Sequence, residues 1–225
     1  MANDQEKEAA ARASLQFIQD GQVVGLGTGS TAAYFIQLLA EKVKNGLRVR
    51  GIPTSIRSRE LAQSLGIPLT TLDECQEIAV TVDGADEVDP QLRLIKGGGG
   101  AMLREKIVAS ATKQLVIVAD ASKQVPVLGK FPLPVEVVRF AQALVAKRIA
   151  RLGAEVQLRQ GPDGKTYLTD ENNHILDCRF EQIPDPDGLA RTLSEMPGVI
   201  EHGLFIGMAS VVLFARGSEI VERRR

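Results

Sequence analysis

Three short segments of the sequence combine glycines and polar side chains in ways that suit chemistry on a small anionic molecule. The first, Gly27-Thr28-Gly29-Ser30-Thr31-Ala32, follows an apolar run and matches the G-x-G-x-x-A pattern. A helix that begins in such a loop presents backbone N–H groups to a phosphate. The acidic residue that a dinucleotide site has about 20 positions further on is missing, and so is the lysine of a P-loop. Because the hydroxyls of Thr28, Ser30 and Thr31 accompany the amides, the segment favours a phosphate monoester, with a purely structural turn as the alternative.

The second segment, Thr81-Val82-Asp83-Gly84-Ala85-Asp86-Glu87-Val88-Asp89, places four carboxylates after an apolar strand. Ligands of open α/β sheets bind beyond the carboxyl ends of the parallel strands, so we expect Asp83 and Asp86 to point into a crevice. Crowded carboxylates raise one another's pKa, which suits proton transfer. Two alternatives stay open: a turn in which the carboxylates satisfy local backbone groups, and a magnesium site that includes Asp89.

The third segment is Lys96-Gly97-Gly98-Gly99-Gly100, which leads into a helix predicted from Ala101 to about Thr112. Four successive glycines cost backbone entropy, and close approach of a ligand to the backbone is a reason to accept that cost. Lys96 adds a cation. The predicted core face of the helix is Leu103, Ile107, Val108 and Ala111. Glu105 lies about 200° around the helix from Leu103, off that face, where a glutamate is usually solvated. No cation stands four residues on, so surface pairing within the helix does not explain Glu105.

The remaining cysteines and histidines do not form a reactive pattern. Cys75 and Cys178 are far apart in the sequence and belong to no CxxC or Cys/His cluster, so we interpret both as small buried hydrophobic residues. His174 and His202 lack the accompanying residues of a metal site or a hydrolase triad.

The composition is that of an ordinary globular protein and excludes several function classes. The chain has 225 residues, of which 44% are hydrophobic and 24% charged, and 27 basic residues nearly balance 28 acidic ones. Such a charge does not favour nucleic acid as a partner, and the absence of Trp leaves few stacking platforms. The N-terminal residues lack the pattern of a signal peptide, and no apolar run approaches a membrane span. We therefore expect a cytoplasmic protein that binds neither membrane nor nucleic acid.

Short apolar runs alternate with helical patterns over residues 1–128, which predicts an α/β fold with a Rossmann-like parallel sheet. The expected strands are 23–26, 49–52, 69–72, 78–82 and 115–119, and the expected helices are 5–19, 32–43, 59–65 and 101–112. The proline-rich stretch at 129–134 predicts a crossing between domains. We expect the first domain to comprise residues 1–128 plus about 205–225, because the apolar run at 209–214 can return to the same sheet.

The intervening residues, about 129–204, are predicted to form an inserted α+β domain. Its expected elements are strand 135–138, helix 141–152, strand 155–159, a hairpin-like pair at 166–169 and 174–178, helix 187–195 and strand 198–201. This order is typical of a split βαβ, ferredoxin-like module. The basic residues 223–225 are interpreted as a solvated terminus.

The three segments together, with VIVADASK at 116–123 and LGKFPLPVEV at 128–137, resemble the ribose-5-phosphate isomerase A family. The resemblance runs along the whole chain and weakens in the split βαβ region. It implies interconversion of D-ribose 5-phosphate and D-ribulose 5-phosphate without metal or organic cofactor, in the pentose phosphate pathway or carbon fixation. A homodimer or homotetramer is also implied, with the inserted domain as lid or dimerisation domain.

The resemblance also implies roles for individual residues. The base that moves the proton through an enediolate falls on Glu105, and the other catalytic residues on Asp83, Asp86 and Lys96. Substrate contacts fall on the three segments and on one further lysine: Thr28, Gly29, Ser30, Thr31, Asp83, Gly84, Ala85, Asp86, Lys96, Gly97, Gly98, Gly99 and Lys123. Which of Asp83 and Asp86 assists opening of the sugar ring is left open.

Two other function classes remain as alternatives. A sugar-phosphate-sensing domain without catalysis would need the phosphate loop but not the base, and would normally carry a DNA-binding helix-turn-helix. A basic recognition segment of that kind does not precede residue 20. An acyl-CoA transferase would require a nucleophilic glutamate, and 225 residues is short for that class.

Overall fold

The computed structural model of the protein describes residues 2–217 and 219–225. Its helices and strands, in chain order, are α1 (Ala2–Ser14), β1 (Val23–Leu26), α2 (Ser30–Lys44), β2 (Arg50–Pro53), α3 (Ile56–Ser64), β3 (Ile78–Asp83), β4 (Glu87–Val88), β5 (Leu94–Ile95), α4 (Met102–Ser110), β6 (Thr112–Asp120), β7 (Leu133–Val137), α5 (Gln142–Ala150), β8 (Glu155–Leu158), β9 (His174–Arg179), α6 (Pro186–Ser194), β10 (Val199–His202), β11 (Leu204–Phe205), β12 (Ala209–Arg216) and β13 (Glu219–Arg224). Short 3₁₀ helices lie at Leu15–Phe17, Ala121–Lys123 and Arg139–Ala141. None of the helices in this part of the chain has the length and apolar character that crossing a bilayer requires.

The first of two compact units comprises residues 1–85, 104–124 and 208–225. Its six-stranded sheet has the order β13-β12-β6-β3-β1-β2, and every neighbouring pair is parallel except the pair of β12 with β13. The central strands are apolar on both faces, as strands covered by helices on both sides must be. One core packs α1 and α2 against the sheet around Phe35 and Leu39, and a smaller cluster packs Val108 of α4 near Ile52 and Ile78.

The second unit comprises residues 86–103 and 125–207. Its four-stranded antiparallel sheet has the order β10-β7-β9-β8, and a three-stranded sheet has the order β11-β5-β4. The chain order strand, helix, strand, strand, helix, strand from β7 to β10 gives the split βαβ arrangement. Val135, Val145, Leu176 and Leu193 belong to its core.

The predicted fold class is confirmed, including the return of β12 to the first sheet beside β6. The predicted domain boundaries differ from the two compact units chiefly at residues 86–103, which cluster with the second unit. The two-residue strands β4 and β5 in this stretch pair with each other, and β5 also pairs with β11. Strands this short carry too little periodicity to be seen in the sequence.

Two element predictions were wrong. Residues 166–169 do not pair with 174–178. Instead, the Tyr167 N–H bonds to the Arg159 carbonyl, and β9 pairs with β7 and β8. The run at 69–72 contributes an isolated bridge from Leu69 to Gly51, because the chain turns away directly afterwards. Residues 223–225 are exposed, as expected of a solvated terminus, and Arg223 and Arg224 also lie in β13 and pair with β12.

The predicted core face of α4 was wrong in part, because Val108 is buried as expected but Ile107 is not. Ile107 is 44% exposed, whereas Glu105 is 4% exposed. The buried residues are Met102, Glu105, Val108 and Ala109, at spacings of three, six and seven, so they share one side of the helix. The pattern of apolar residues did not reveal this side because a carboxylate occupies its centre.

Candidate active site

The predicted phosphate loop lies at the carboxyl edge of the parallel sheet in the first unit. Leu26 at the end of β1 pairs with Pro53 of β2 and Val82 of β3, so three strands end side by side. Gly27 continues from β1, and a Cβ there would overlap the Asp83 side chain and the Val82 carbonyl. Only glycine permits this close approach.

Helix α2 begins directly after the loop, with Gly29 as its N-cap and Ser30 and Thr31 in its first turn. The first turn contains no acidic residue, so the unpaired N–H groups and the positive end of the helix dipole face no carboxylate from this turn. Ser30 is exposed and Thr31 half-buried. Neither hydroxyl bonds to another residue in the described part of the chain, which leaves both able to bind an anion.

The Thr28 hydroxyl, by contrast, belongs to a cluster of hydroxyls contributed by the segment after β2. Its Oγ1 lies 2.7 Å from Thr54 Oγ1, 2.8 Å from Ser55 Oγ and 3.1 Å from Ser58 Oγ. Ser58 Oγ in turn donates to the Gly27 carbonyl at 2.7 Å, and Thr54 Oγ1 donates to the Leu26 carbonyl at 3.1 Å. The cluster fixes the course of the loop, and the Thr28 side chain contributes to it through these hydroxyl contacts.

Asp83 ends β3 at the same edge and is almost fully buried, at 1% exposure. Its Oδ1 accepts hydrogen bonds from Thr28 N at 3.0 Å and from Gly84 N at 2.8 Å. The structure therefore brings Asp83 together with the phosphate loop. It also places Gly84 and Ala85 in the loop that follows β3, in the same unit.

Lys123 reaches this edge by way of β6, the next strand of the sheet. Asp120 ends β6, and its Oδ1 accepts from Ser122 N at 3.0 Å, which starts the 3₁₀ turn that contains Lys123. Lys123 is half-buried. The loops after β1, β3 and β6 thus supply the predicted hydroxyls, carboxylate and cation at one edge of one sheet.

Glu105 also belongs to the first unit, on the packed side of α4 beside Val108 and Ala109. A carboxylate at 4% exposure is withdrawn from bulk water, which is costly unless the group is paired or hydrogen-bonded. The structure thus rules out the solvated surface glutamate that the helical wheel suggested.

In the second unit, Asp86 and the glycine run contact each other directly. Asp86 Oδ2 accepts from Gly98 N at 2.8 Å, and the Asp86 N–H donates to the Ile95 carbonyl at 2.8 Å. Gly98 and Gly99 are exposed, while Gly97 and Gly100 have φ angles of +98° and +83°. The run therefore has two exposed residues, Gly98 and Gly99, between two glycines in the left-handed backbone conformation.

Lys96, immediately before these glycines, is 2% exposed. Its side-chain ammonium lies 5.4 Å from the centre of the Phe205 ring, which is a cation–π contact. Its backbone N–H donates to the Gly203 carbonyl at 2.9 Å. These contacts fix the position of Lys96 directly before the glycine run.

The other two carboxylates of the second segment serve the fold. Glu87 is 3% exposed and accepts from Gly129 N at 2.7 Å and Phe131 N at 2.6 Å. Asp89 pairs with Arg93 at 2.6 Å and accepts from the N–H groups of Gln91 and Arg93. The turn alternative therefore describes Asp89. In addition, no group of three metal-ligating side chains occurs within residues 2–217 and 219–225, which gives the magnesium alternative no support.

The cysteines and histidines have structural surroundings. Burial raises the pKa of the Cys178 thiol well above its usual range, while Cys75 is half-buried rather than buried, contrary to expectation. His202 lies 3.1 Å from Ser194 Oγ through Nε2 and accepts from Leu204 N through Nδ1 at 3.2 Å.

The sequence analysis missed two groups of residues beside these loops. The first is the hydroxyl cluster of Thr54, Ser55 and Ser58, whose signal was the Ser-x-x-Ser spacing of a helix N-cap directly after an apolar strand. The second is Arg159 and Tyr167, which contact the glycine run through its carbonyls. No motif marked them, because their partners lie about 60 residues away in the sequence.

Comparison with known proteins identifies the family of the chain. The family model for ribose 5-phosphate isomerase A (phosphoriboisomerase A) matches residues 50–219. A curated ribose-5-phosphate isomerase A from Parvibaculum lavamentivorans is 51% identical over 229 residues, covering 98% of this chain and 99% of the relative.

Two solved structures show the same architecture along the full chain. A D-ribose-5-phosphate isomerase in complex with phospho-erythronic acid superposes with a TM-score of 0.97 at 40% identity and covers 100% of both chains. The ribose 5-phosphate isomerase A of Methanocaldococcus jannaschii superposes with a TM-score of 0.93 at 39% identity, covering 97% of this chain and 98% of that one. The loops at 27–31, 83–89 and 96–100 therefore stand in a chain that belongs to the ribose 5-phosphate isomerase A family.

Proposed function

We propose that this chain interconverts D-ribose 5-phosphate and D-ribulose 5-phosphate by a proton transfer in which Glu105 is the base. The isomerase activity follows from membership of the family. The observation that carries the role of Glu105 is its burial, at 4% exposure, one turn into the helix that follows the glycine run. The alternative of a binding domain without catalysis would have no use for a carboxylate at this position.

Glu105 takes the proton from C2 of the open aldose and returns it to C1, so that an enediolate forms between the two steps. Negative charge develops on the sugar oxygens as the proton leaves. Lys96 and the N–H of Gly99 are the donors that stabilise this charge, since the Gly98 N–H already bonds to Asp86 Oδ2. The ring form of the substrate must open first, and Asp83 or Asp86 moves the hydroxyl proton in that step.

The phosphate is bound at the other end of the sugar by the N-terminus of α2, Ser30, Thr31 and Lys123, which fixes the reacting carbons. A solved relative is described in complex with phospho-erythronic acid. That compound joins a phosphate ester to a planar carboxylate, and a carboxylate resembles an enediolate in shape and charge. We therefore expect it to compete with ribose 5-phosphate for this chain.

The proposal requires no metal or organic cofactor, since the protons move between side chains and substrate. We further propose a cytoplasmic homodimer or homotetramer acting in the pentose phosphate pathway or carbon fixation, with residues of about 129–204 as lid or dimerisation domain. Sedimentation that finds only monomer at micromolar concentration would contradict the oligomer.

The test is the Glu105→Gln variant, which retains size and most hydrogen bonding but cannot act as a base. We expect kcat to fall by at least about 10²-fold, the lower end for a positioned general base. Calorimetry should show that ribose 5-phosphate still binds, because its phosphate contacts are elsewhere. Glu60→Gln, an exposed glutamate of α3, is the matched control, and wild-type activity should survive excess chelator. A folded Glu105→Gln enzyme within tenfold of wild-type kcat would refute this role of Glu105.

A further inference from the structure

Arg159, just beyond β8, joins the inserted sheet to the glycine run within the second unit. Its Nη1 donates to the carbonyls of Gly97 at 2.9 Å and Gly98 at 3.1 Å. Its Nε donates to Asp177 Oδ2 at 2.9 Å, and its Nη2 donates to the other oxygen of Asp177. The Arg159 side chain is only 12% exposed. We propose that Arg159, held by Asp177, is a positioning residue that orients the glycine run toward the substrate, an inference that rests on the proposed function.

The direction of the peptide units gives the reason. In a trans peptide the C=O and the following N–H point in opposite directions. Because Arg159 binds the carbonyls of Gly97 and Gly98, the N–H groups of Gly98 and Gly99 point away from Arg159. The Gly98 N–H accordingly meets Asp86 Oδ2 at 2.8 Å. The Gly99 N–H bonds to no residue in the described part of the chain, so it is available to a substrate oxygen.

The guanidinium also strengthens these donors. A cation that donates to a carbonyl polarises the whole peptide unit, and hydrogen bonds in such a chain reinforce one another. Arginine suits this task because its planar fork can bind a carboxylate on one side and carbonyls on another. Lysine carries the same charge but lacks that fixed fork, so it can replace only part of the arrangement.

Tyr167 completes the support for the glycine run. Its ring lies 5.9 Å from Arg159 Cζ, and its hydroxyl donates to the Gly99 carbonyl at 3.4 Å. A Cβ on Gly100, which already has a φ of +83°, would overlap the Tyr167 hydroxyl. The carbonyl side of the run is therefore occupied by protein, whereas on its other side the Gly99 N–H remains for a ligand.

The experiment compares Arg159→Ala and Arg159→Lys with Arg179→Ala. Arg179 is the matched control, since it ends β9 in the same sheet, its side chain is 49% exposed, and its ion pair at 3.9 Å is to Glu181, not to the loop. All kinetics are measured at a temperature where circular dichroism shows each variant folded. Inorganic phosphate, as a competitive inhibitor, reports on the phosphate end of the site separately.

We expect Arg159→Ala to lower kcat/KM for ribose 5-phosphate by about tenfold or more, the loss of one well-oriented hydrogen bond to a developing charge. The inhibition constant of inorganic phosphate should stay within about twofold, a split that a general structural defect would not produce. Arg159→Lys should recover part of the loss. Asp177→Asn, which retains the Arg159 charge but weakens its anchor, should show an intermediate loss, and it serves as the test if Arg159→Ala does not fold.

A kcat/KM for Arg159→Ala within threefold of wild type would overturn the inference, as would an equal loss in Arg179→Ala. Failure of the proposed function is a different result, because Glu105→Gln retains the Arg159 contacts and would then retain its kcat. An inactive Glu105→Gln beside an active Arg159→Ala would reject the positioning role alone.

Discussion

Glu87 offers a measurable test of how the acidic segment divides between fold and chemistry. Its carboxylate is 3% exposed and accepts two backbone N–H groups, from Gly129 at 2.7 Å and Phe131 at 2.6 Å. A hydrogen bond to a charged group contributes about 1.5–3 kcal/mol to stability. Removing the carboxylate also leaves the N–H groups of Gly129 and Phe131 without an acceptor, in a part of the chain where water has little access. Glu87→Ala should therefore lower the free energy of unfolding by about 3–5 kcal/mol.

For a chain of this length each kcal/mol corresponds to about 2–4 °C in Tm, so the expected shift is on the order of 10 °C. Glu87→Gln retains one acceptor oxygen and should lose about half as much. The measurement is calorimetric unfolding, with Glu195→Gln, an exposed glutamate at the end of α6, as the control that should change by less than about 0.5 kcal/mol. A Glu87→Ala protein that melts within about 2 °C of wild type would refute the reasoning, because it would mean that the two N–H groups find other acceptors at no cost.

Two further predictions concern the inserted sheet and the phosphate. Desolvation raises the pKa of Glu136 above its ordinary 4.5, while hydrogen bonds from Asn173 and Thr169 oppose the shift. The folded state therefore retains this proton to higher pH than the unfolded chain does, and the contribution of Glu136 to stability is complete below pH 4.5 and lost as the pH rises through the folded pKa. Glu136→Gln, which cannot ionise, should gain stability relative to wild type in urea unfolding as the pH rises above 4.5, and a difference independent of pH would contradict this. Free ribose should be a very poor substrate, and Lys123→Ala should mainly raise KM for ribose 5-phosphate. Equal kcat/KM for ribose and ribose 5-phosphate would show that the loop at 27–31 is only structural.

The sequence predicted the elements whose apolar pattern has a clear period. The parallel strands β1, β3, β6 and β12 are runs of Val, Ile and Leu between turns, and α2 buries Phe35, Ile36 and Leu39 at helical spacing. The sequence failed where pairing partners are distant or very short. Residues 166–169 carry strand-forming side chains, but the Tyr167 N–H donates to the Arg159 carbonyl, and Thr166 forms only an isolated bridge with Gln160.

The helix α4 shows why the site was harder to predict than the fold. Its apolar residues predict a buried face that includes Ile107, yet in the structure Ile107 is exposed and Glu105 is buried. A rule that sorts residues by hydrophobicity must fail wherever a carboxylate lies on the buried face of a helix. Periodicity did not single out Glu105; the resemblance to a family did. Neither periodicity nor the resemblance predicted a role for Arg159, because only the folded chain brings its guanidinium to the Gly97 carbonyl.

The segment 82–89 limits what mutagenesis of its aspartates can show. Asp83 accepts the N–H of Thr28, and Asp86 accepts the N–H of Gly98, so each carboxylate holds a different glycine loop within its own unit. Loss of activity on removing either one therefore reports a displaced loop as much as a missing proton donor. Asparagine retains an acceptor oxygen for the N–H but cannot exchange a proton, which makes it the informative substitution.

Ribulose 5-phosphate separates the two roles further. With its fifth oxygen esterified, this ketose cannot close to a furanose, so exchange of its C1 proton with solvent needs the base but no ring opening. An aspartate that acts only in ring opening can be replaced by asparagine without slowing that exchange, although turnover of cyclic ribose 5-phosphate falls. Removal of the acceptor that holds a loop, as in an Asp→Ala variant, would instead slow both reactions together. The direction in which the enzyme is assayed thus decides whether Asp83 and Asp86 can be told apart.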